Sequence, residues 1–435
     1  MNRISVIVAA LFLLAQPVLG KPLLTNSEET YESACLANSD TPERLVEICE
    51  HALQTTGATA VQRIEMMETL AWAHHDAGDE EKAFEQFNVM LELDPVSAEA
   101  FNGLGWLAYG RDDYSEAASF FAQAMETKPE EQSLAGLGAS LYRSGQLPLV
   151  EAVGYLDAAL AITPTYAWAM RQKGWLYSIE DFHAEAIDAF EDALEINPDD
   201  VSANYGVGYV LTEEDKWVEA LPYINRALQE APDDVSSLSR RSLILLNLDR
   251  PAQALRDGER VVELTPDDSD GYVRVARAQV ALGRAADALK TLAEAEEIVG
   301  YDNYLTYWYA EFLSDAGQVD EAMSRLEKVF ERDDADYWDH ELRSQILLNA
   351  ERYGPARAAL DESLLQYPDA PFLIFYDALV LIGEEKYTEA EARFDDAVAA
   401  DLPPERLKYF LKQLVGAAQY LQAVQMRVRY TEQSE

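Results

Sequence analysis

The chain has 435 residues, of which 49% are hydrophobic and 26% charged, a composition too apolar for a mostly disordered polymer and sufficient to bury a large surface. Asp and Glu number 79 against 34 Lys and Arg, giving a net charge of −45 and a sequence pI near 4.3. So acidic a molecule repels phosphate backbones and anionic headgroups at long range, which makes nucleic acid and bare acidic membranes poor partners.

Residues 1–20 are expected to form a signal peptide: Arg3 is followed by an apolar stretch from Ile4 to Ala15, then a Val18-x-Gly20 small-residue site before Lys21. That run is shorter than the roughly 18 apolar residues of a membrane helix, and no later segment reaches the length. The expectation is an exported protein, in a bacterial periplasm, whose mature chain has no transmembrane segment; the alternative is an uncleaved anchor. Removal of Arg3 leaves 33 basic against 79 acidic residues, a net charge of −46. Cys35 and Cys49 are the only cysteines. In an oxidising compartment they are expected to be bridged, restricting the unfolded chain by roughly 3 kcal/mol in the chain-entropy account; the alternative is two small buried thiols.

From residue 64 onwards a helix stop recurs at a nearly constant interval, at Pro95, Pro129, Pro164, Pro198, Pro232, Pro266, Gly300, Asp334, Pro368 and Leu402, spaced by 34 residues apart from one interval of 35. Twelve residues before every stop stands alanine, from Ala83 and Ala117 through to Ala390. A second small residue lies earlier in each unit: Ala71, Gly105, Gly138, Gly174, Gly208, Ser242, Ala276, Ala310, Ser344 and Ala378. Apolar residues return every three or four positions in two bursts per unit, which predicts two amphipathic helices joined by a short turn. In residues 167–200, Met170, Gly174 and Tyr177 fall on the first helix. Ala186, Phe190 and Ala193 fall on the second, which Asn197-Pro198 ends. Gly174 is expected to pack near Ala186, leaving an apolar face that only the next pair can cover.

With this length and spacing the sequence resembles the tetratricopeptide repeat (TPR) family, whose pattern is W-x2-L-G-x2-Y, then A-x3-F, A and P. One unit shows it as Phe101, Leu104, Gly105, Ala117, Phe121, Ala124 and Pro129. Extra residues around Leu147 to Val150, and Arg241 and Gly258 at positions the family keeps apolar, are local departures. The resemblance implies an all-α, right-handed α-solenoid of about ten TPR helix-turn-helix repeats with N- and C-terminal capping helices. The expected boundaries are 1–20 for the signal peptide, 21–63 for a capping hairpin with Cys35 and Cys49, 64–404 for ten repeats, and 405–435 for a capping helix and tail. In that terminal helix Leu407, Phe410, Leu411, Leu414, Val415, Ala418 and Leu421 mark one face.

Nothing in the sequence carries catalysis: H-E-x-x-H, G-x-S-x-G and G-x-x-x-x-G-K-[ST] are all missing. His74 and His75 are adjacent on one helix and point to different sides, so they do not form a metal pair. No catalytic residue, metal or cofactor is expected.

Surface is what remains. Number each unit from 1 with its first small residue at 8. Positions 4, 7, 8 and 11 then face the core, and positions 2, 5, 9 and 12 another side. In the family resembled, that other side lines a concave groove where extended ligands lie. Together with position 6 it holds Trp72, Trp106, Tyr109, Tyr142, Trp168, Arg171, Trp175, Tyr205 and Tyr209, then Arg240, Arg274 and Arg277, then Tyr304, Tyr307, Trp308, Trp338, Phe372 and Phe375. The aromatics either meet a ligand or pack between helices. The arginines either hold an anionic group or pair with neighbouring acids. The family's carboxylate clamp of Lys and Asn is not reproduced, since the corresponding first-unit residues are Glu68 and Trp72. The expected function is a non-enzymatic scaffold or adaptor outside the cytoplasm, binding a protein or peptide partner in an aromatic, locally Arg-containing groove. The alternative is a polysaccharide-binding scaffold of an envelope export system.

Overall fold

The computed structural model describes residues 30–54, 57–332, 334–417 and 419–431, so the expected signal peptide lies outside it. Among the described residues the chain is helical and contains no strand. It divides into two compact units at Pro198/Asp199. The first holds α1 (Tyr31–Ala37), α2 (Pro42–Gln54), α3 (Ala60–Asp76), α4 (Glu80–Leu93), α5 (Ala98–Gly110), α6 (Tyr114–Thr127), α7 (Glu131–Arg143), α8 (Leu149–Ile162), α9 (Ala167–Ile179) and α10 (His183–Ile196). The second begins with α11 (Val201–Glu213), α12 (Trp217–Glu230), α13 (Val235–Asn247), α14 (Pro251–Leu264), α15 (Ser269–Ala281), α16 (Ala285–Val299) and α17 (Asn303–Asp315). It continues with α18 (Val319–Glu331), α19 (Tyr337–Asn349), α20 (Tyr353–Gln366), α21 (Pro371–Gly383), α22 (Tyr387–Ala399), α23 (Arg406–Gly416) and α24 (Tyr420–Thr431).

Local sequence explains the ends of several hairpins. Side chains of Asp79, Ser97, Asp113, Asp200, Asp234 and Asp302 cap helix N-termini by accepting backbone N–H bonds. Second helices stop where the residue before proline is driven into extended backbone, as at Asp94, Lys128, Thr163 and Asn197. Between the two helices every repeat places one residue in the left-handed region: Gly78, Asp112, Gly145, Asp181, Asp215, Asp249, Gly283, Gly317, Glu351 and Glu385, with φ from 56° to 81°. Glycine and aspartate tolerate that conformation better than glutamate does.

Packing follows from the small positions. The fully buried ring of Phe121 fills space that a Cβ on Gly105 of its own hairpin, at 2.8 Å, or on Gly136 of the next, at 2.5 Å, would invade. Phe87 stands likewise against Gly103, and Phe190 against Gly174. The ring of Phe190 is thus an immediate neighbour of Gly174, while the fully buried Ala186 belongs to the same junction. In the departing repeat, Gly258 brings α14 within 3.0 Å of the α15 backbone at Val275, measured from the Cβ it lacks. Arg241 there makes paired hydrogen bonds of 2.8 and 2.7 Å to the buried Asp257, a polar contact where the family keeps apolar residues.

The ends are built differently. A disulfide joins Cys35 of α1 to Cys49 of α2, both buried with Leu45, Ile48, Met66 and Leu70. Helix α3 begins at Ala60, four residues before the expected repeat boundary, because Thr59 and Gln62 form a capping box. At the other end two helices replace the single one expected. Gly416 and Ala417 close α23, Phe410 stacks on Phe394 at 4.3 Å, and Val415 is 43% exposed rather than on the buried face. Ala418 and the Leu421 side chain lie outside the described set.

Replacing the fully buried Ala186 with Leu should overpack its helix junction and lower stability by about 1–3 kcal/mol, measured as a fall in the thermal midpoint. Glu351→Gly should do the opposite. Relief of a left-handed glutamate, worth roughly 1–2 kcal/mol, exceeds the added entropy of unfolded glycine and leaves a gain of about 0.5–1 kcal/mol in the same assay.

Candidate interaction surface

Within each unit the first helices of successive hairpins approach one another, as α5 does α7, α7 does α9, α15 does α17, α17 does α19 and α19 does α21. The second helices of successive hairpins make no comparable contacts among the described residues. The face of the first helices is therefore the inner one in each unit, and it carries the aromatic positions read from the sequence.

In the first unit that face is largely self-satisfied. Trp72, Trp106 and Trp175 each stand edge-on to the phenylalanine fifteen residues ahead, at 5.3 Å from Phe87, 4.8 Å from Phe121 and 5.0 Å from Phe190. Side chains of α5 and α9 meet across α7, where this face includes the small, buried Ala135 and Ala139. Trp106 lies 4.5 Å from Trp168, Tyr109 lies 5.9 Å from Trp168, and the Tyr109 hydroxyl donates to Gln172 Oε1 at 3.0 Å. Burial pushes the Tyr109 hydroxyl up to about 12. Burial, then the Glu180 carboxylate it donates to at 2.6 Å, holds Tyr142 at about 12. Arg171 is half-buried on α9.

The second unit contains the remaining residues. Tyr205 and Tyr209 of α11 are 6.2 Å apart. The three arginines are engaged internally. Arg240 sits 4.2 Å over the Tyr209 ring and pairs with Glu213 at 2.9 Å; Arg274 pairs with Asp270 at 2.9 Å; Arg277 lies 4.3 Å over Trp308. Burial disfavours the charge of Arg277, which Tyr304 and Glu311 support. Phe372 is half-buried beneath Arg406 at 5.0 Å. Phe375 leaves the inner surface altogether: at 1% exposure it is a core residue against Phe394, because the α21 helix is buried on nearly every side.

A cleft of about 490 Å³ opens between α17 and α19, lined by Asn303, Tyr304, Tyr307, Trp308, Asp336, Trp338 and Asp339. Trp338 is 57% exposed and Tyr304 39%, the most open of the sequence-derived aromatics. Asp336 caps α19 by accepting from the Trp338 and Asp339 N–H groups, and Asp339 returns a bond to the Asp336 N–H. Asn303 donates to Asp339 at 3.1 Å. Trp308 Nε1 and Asn303 Oδ1 are buried without a hydrogen-bond partner.

Acidic groups on this face escape a reading that selects aromatics and arginines. Glu311 and Glu341 occupy positions 9 and 5 of their repeats, where the unit frame already places them. Each has a buried oxygen without a partner. The Tyr376 hydroxyl donates to the other oxygen of Glu341 at 3.1 Å, while burial raises the Glu341 carboxyl above its ordinary range. Burial first, then the Asp315 carboxylate, holds Glu311 at about 7 against the opposing pull of Arg277. Below the ordinary carboxylate pKa Glu311 is protonated whether the chain is folded or not. As pH rises towards 7 the unfolded chain ionises first, so stability falls across that window and the full cost persists above it. Glu311→Gln should therefore exceed the parent in thermal midpoint near about pH 8, by on the order of 2 kcal/mol, with the difference gone near about pH 4.

Comparison with known proteins gives a family match described as Tetratricopeptide repeat over residues 68–132 and 178–235. No curated protein matches the chain. Among solved structures, yeast Tom70 is similar at a TM-score of 0.51 and 15% identity, covering 92% of this chain and 98% of that one. The human IFIT1 dimer with PPP-AAAA is similar at a TM-score of 0.51 and 16% identity, covering 86% and 91%. A tetratricopeptide repeat protein from Parabacteroides merdae is 19% identical over 57% of this chain and 98% of that one, at a TM-score of 0.41. At such identities the likeness is one of fold alone. Together with the 34-residue register and the helical hairpins built on it, the family match supports tetratricopeptide repeats in this chain.

Proposed function

We propose that this protein is a non-enzymatic adaptor that holds an extended segment of a protein partner on the inner face of its second unit. The repeat fold supports an interaction scaffold, and the observation that carries the reading further is the open cleft between α17 and α19. The first unit's aromatics pack on one another, whereas Tyr304 and Trp338 present apolar surface to solvent beside unpartnered polar groups. Exposed aromatic anchors with a polar rim are typical of binding hot spots. Export to a bacterial periplasm belongs to the same proposal, supported by the signal-peptide pattern of residues 1–20 and by a disulfide suited to an oxidising compartment. A polysaccharide is the second reading, favoured by the same exposed indole, whose face could stack on a sugar ring.

A photo-crosslinking amino acid in place of Tyr304, irradiated in intact producing cells, should attach one defined protein. No protein adduct, from a variant that is abundant and folded, would overturn the adaptor reading. A saccharide adduct would establish the second.

A further inference from the structure

Aromatic rings on the inner face of the second unit are repeatedly covered by the chain's own arginines. Arg240 of α13 covers Tyr209 of α11, Arg277 of α15 covers Trp308 of α17, and Arg406 of α23 covers Phe372 of α21, at 4.2, 4.3 and 5.0 Å. Helix α19 breaks the series. Among the described residues Trp338 has no cation over its ring, and α19 and α17 place Gln345 and Glu311 at the repeat position that holds Arg277 on α15. The cleft beside Trp338 is lined by two carboxylates, Asp336 and Asp339, and by no basic side chain.

Resting on the adaptor reading, we infer that the missing cation comes from the partner: an Arg or Lys side chain of its extended segment enters the α17–α19 cleft, stacks on Trp338 beside Tyr304, and takes Asp336 as counter-charge. Three observations select this occupant. An indole face with carboxylates at its edge attracts a cation through both the ring quadrupole and the Coulomb term. The net charge of −45 draws basic segments in from long range and repels acidic ones. Trp308 and Asn303, whose Nε1 and Oδ1 are buried without partners, line the same cleft, so a peptide seated there lies beside polar groups whose pairing is incomplete.

The test is 19F NMR of the full protein with its seven tryptophans replaced by 5-fluorotryptophan, the Trp338 resonance being assigned with Trp338→Phe. The tripeptide acetyl-Ala-Arg-Ala-amide should shift that resonance saturably, and the same peptide with uncharged citrulline should bind roughly tenfold more weakly. Asp336→Asn keeps a competent helix cap and should weaken the arginine peptide several-fold while leaving the citrulline peptide unchanged. Equal affinity for the two peptides, or no movement of the Trp338 resonance with either, overturns the inference. So does a shift produced instead by methyl glucoside. Protein crosslinks from Tyr304 that accompany a silent Trp338 would retain the adaptor and remove the cation site. A saturable arginine shift without any crosslinked protein would retain the cation site and remove the adaptor.

Discussion

The insertion of one large apolar side chain per repeat between small residues sets the rest of this structure. Phe121 shows it most fully: its ring occupies the volume a Cβ would need on Gly105 of α5 and on Gly136 of α7. One side chain thereby fixes the separation within a hairpin and the separation from the next. The equivalent position is filled by Phe87, Leu156, Phe190, Ile224, Leu292, Leu326, Leu360 and Phe394, all buried. Where it is empty, at Gly258, the backbones of α14 and α15 close the gap themselves. Where the repeats end, Phe394 stacks on Phe410 of α23, so the terminal helix is received by the same contact that joins repeats elsewhere. Interiors packed in this way are stiff, and the first helices are held at set spacings without help from a ligand.

Much of that was legible in the sequence because it depends on side-chain volume at a fixed period. Ala186 and its equivalents, and the small residue twelve positions earlier in most units, announce close helix approach before any coordinates are seen. The left-handed turn residue was partly legible: Gly78, Gly145, Gly283 and Gly317 advertise it, Asp112 and Asp181 permit it, and Glu351 and Glu385 give no local sign. The break between α23 and α24 is not legible, because apolar spacing from Leu407 to Leu421 continues across Gly416 as though the helix did.

The inner face was less legible, for a physical reason. Whether an aromatic at a given repeat position is open or covered depends on its neighbours one and two repeats away. Trp106 and Trp168 close over α7 only because Ala135 and Ala139 leave room. Trp338 stays open because, among the described residues, no arginine stands over its ring. Phe375 and Phe372 stand three residues apart, yet the first is core and the second lies beneath Arg406. Periodicity assigns a residue to a face of its helix; it does not say what else occupies the space in front of that face.

A chain with 79 acids and 34 bases has few cations to distribute, and the structure shows where they go. Arg241 is committed to Asp257, Arg357 and Arg393 converge on Asp377, and Arg240, Arg277 and Arg406 cover aromatic rings. Each of these would leave a buried carboxylate or an exposed ring if removed, so the arginines serve the fold before any ligand arrives. Both units leave buried polar atoms over. The first packs most of its inner-face aromatics on one another and leaves His75 Nδ1 without a partner. The second keeps an indole, an amide oxygen and two carboxyl oxygens without partners on the same side of its first helices. Since unmatched buried polar groups carry a standing cost, a segment that supplies their partners recovers it on binding.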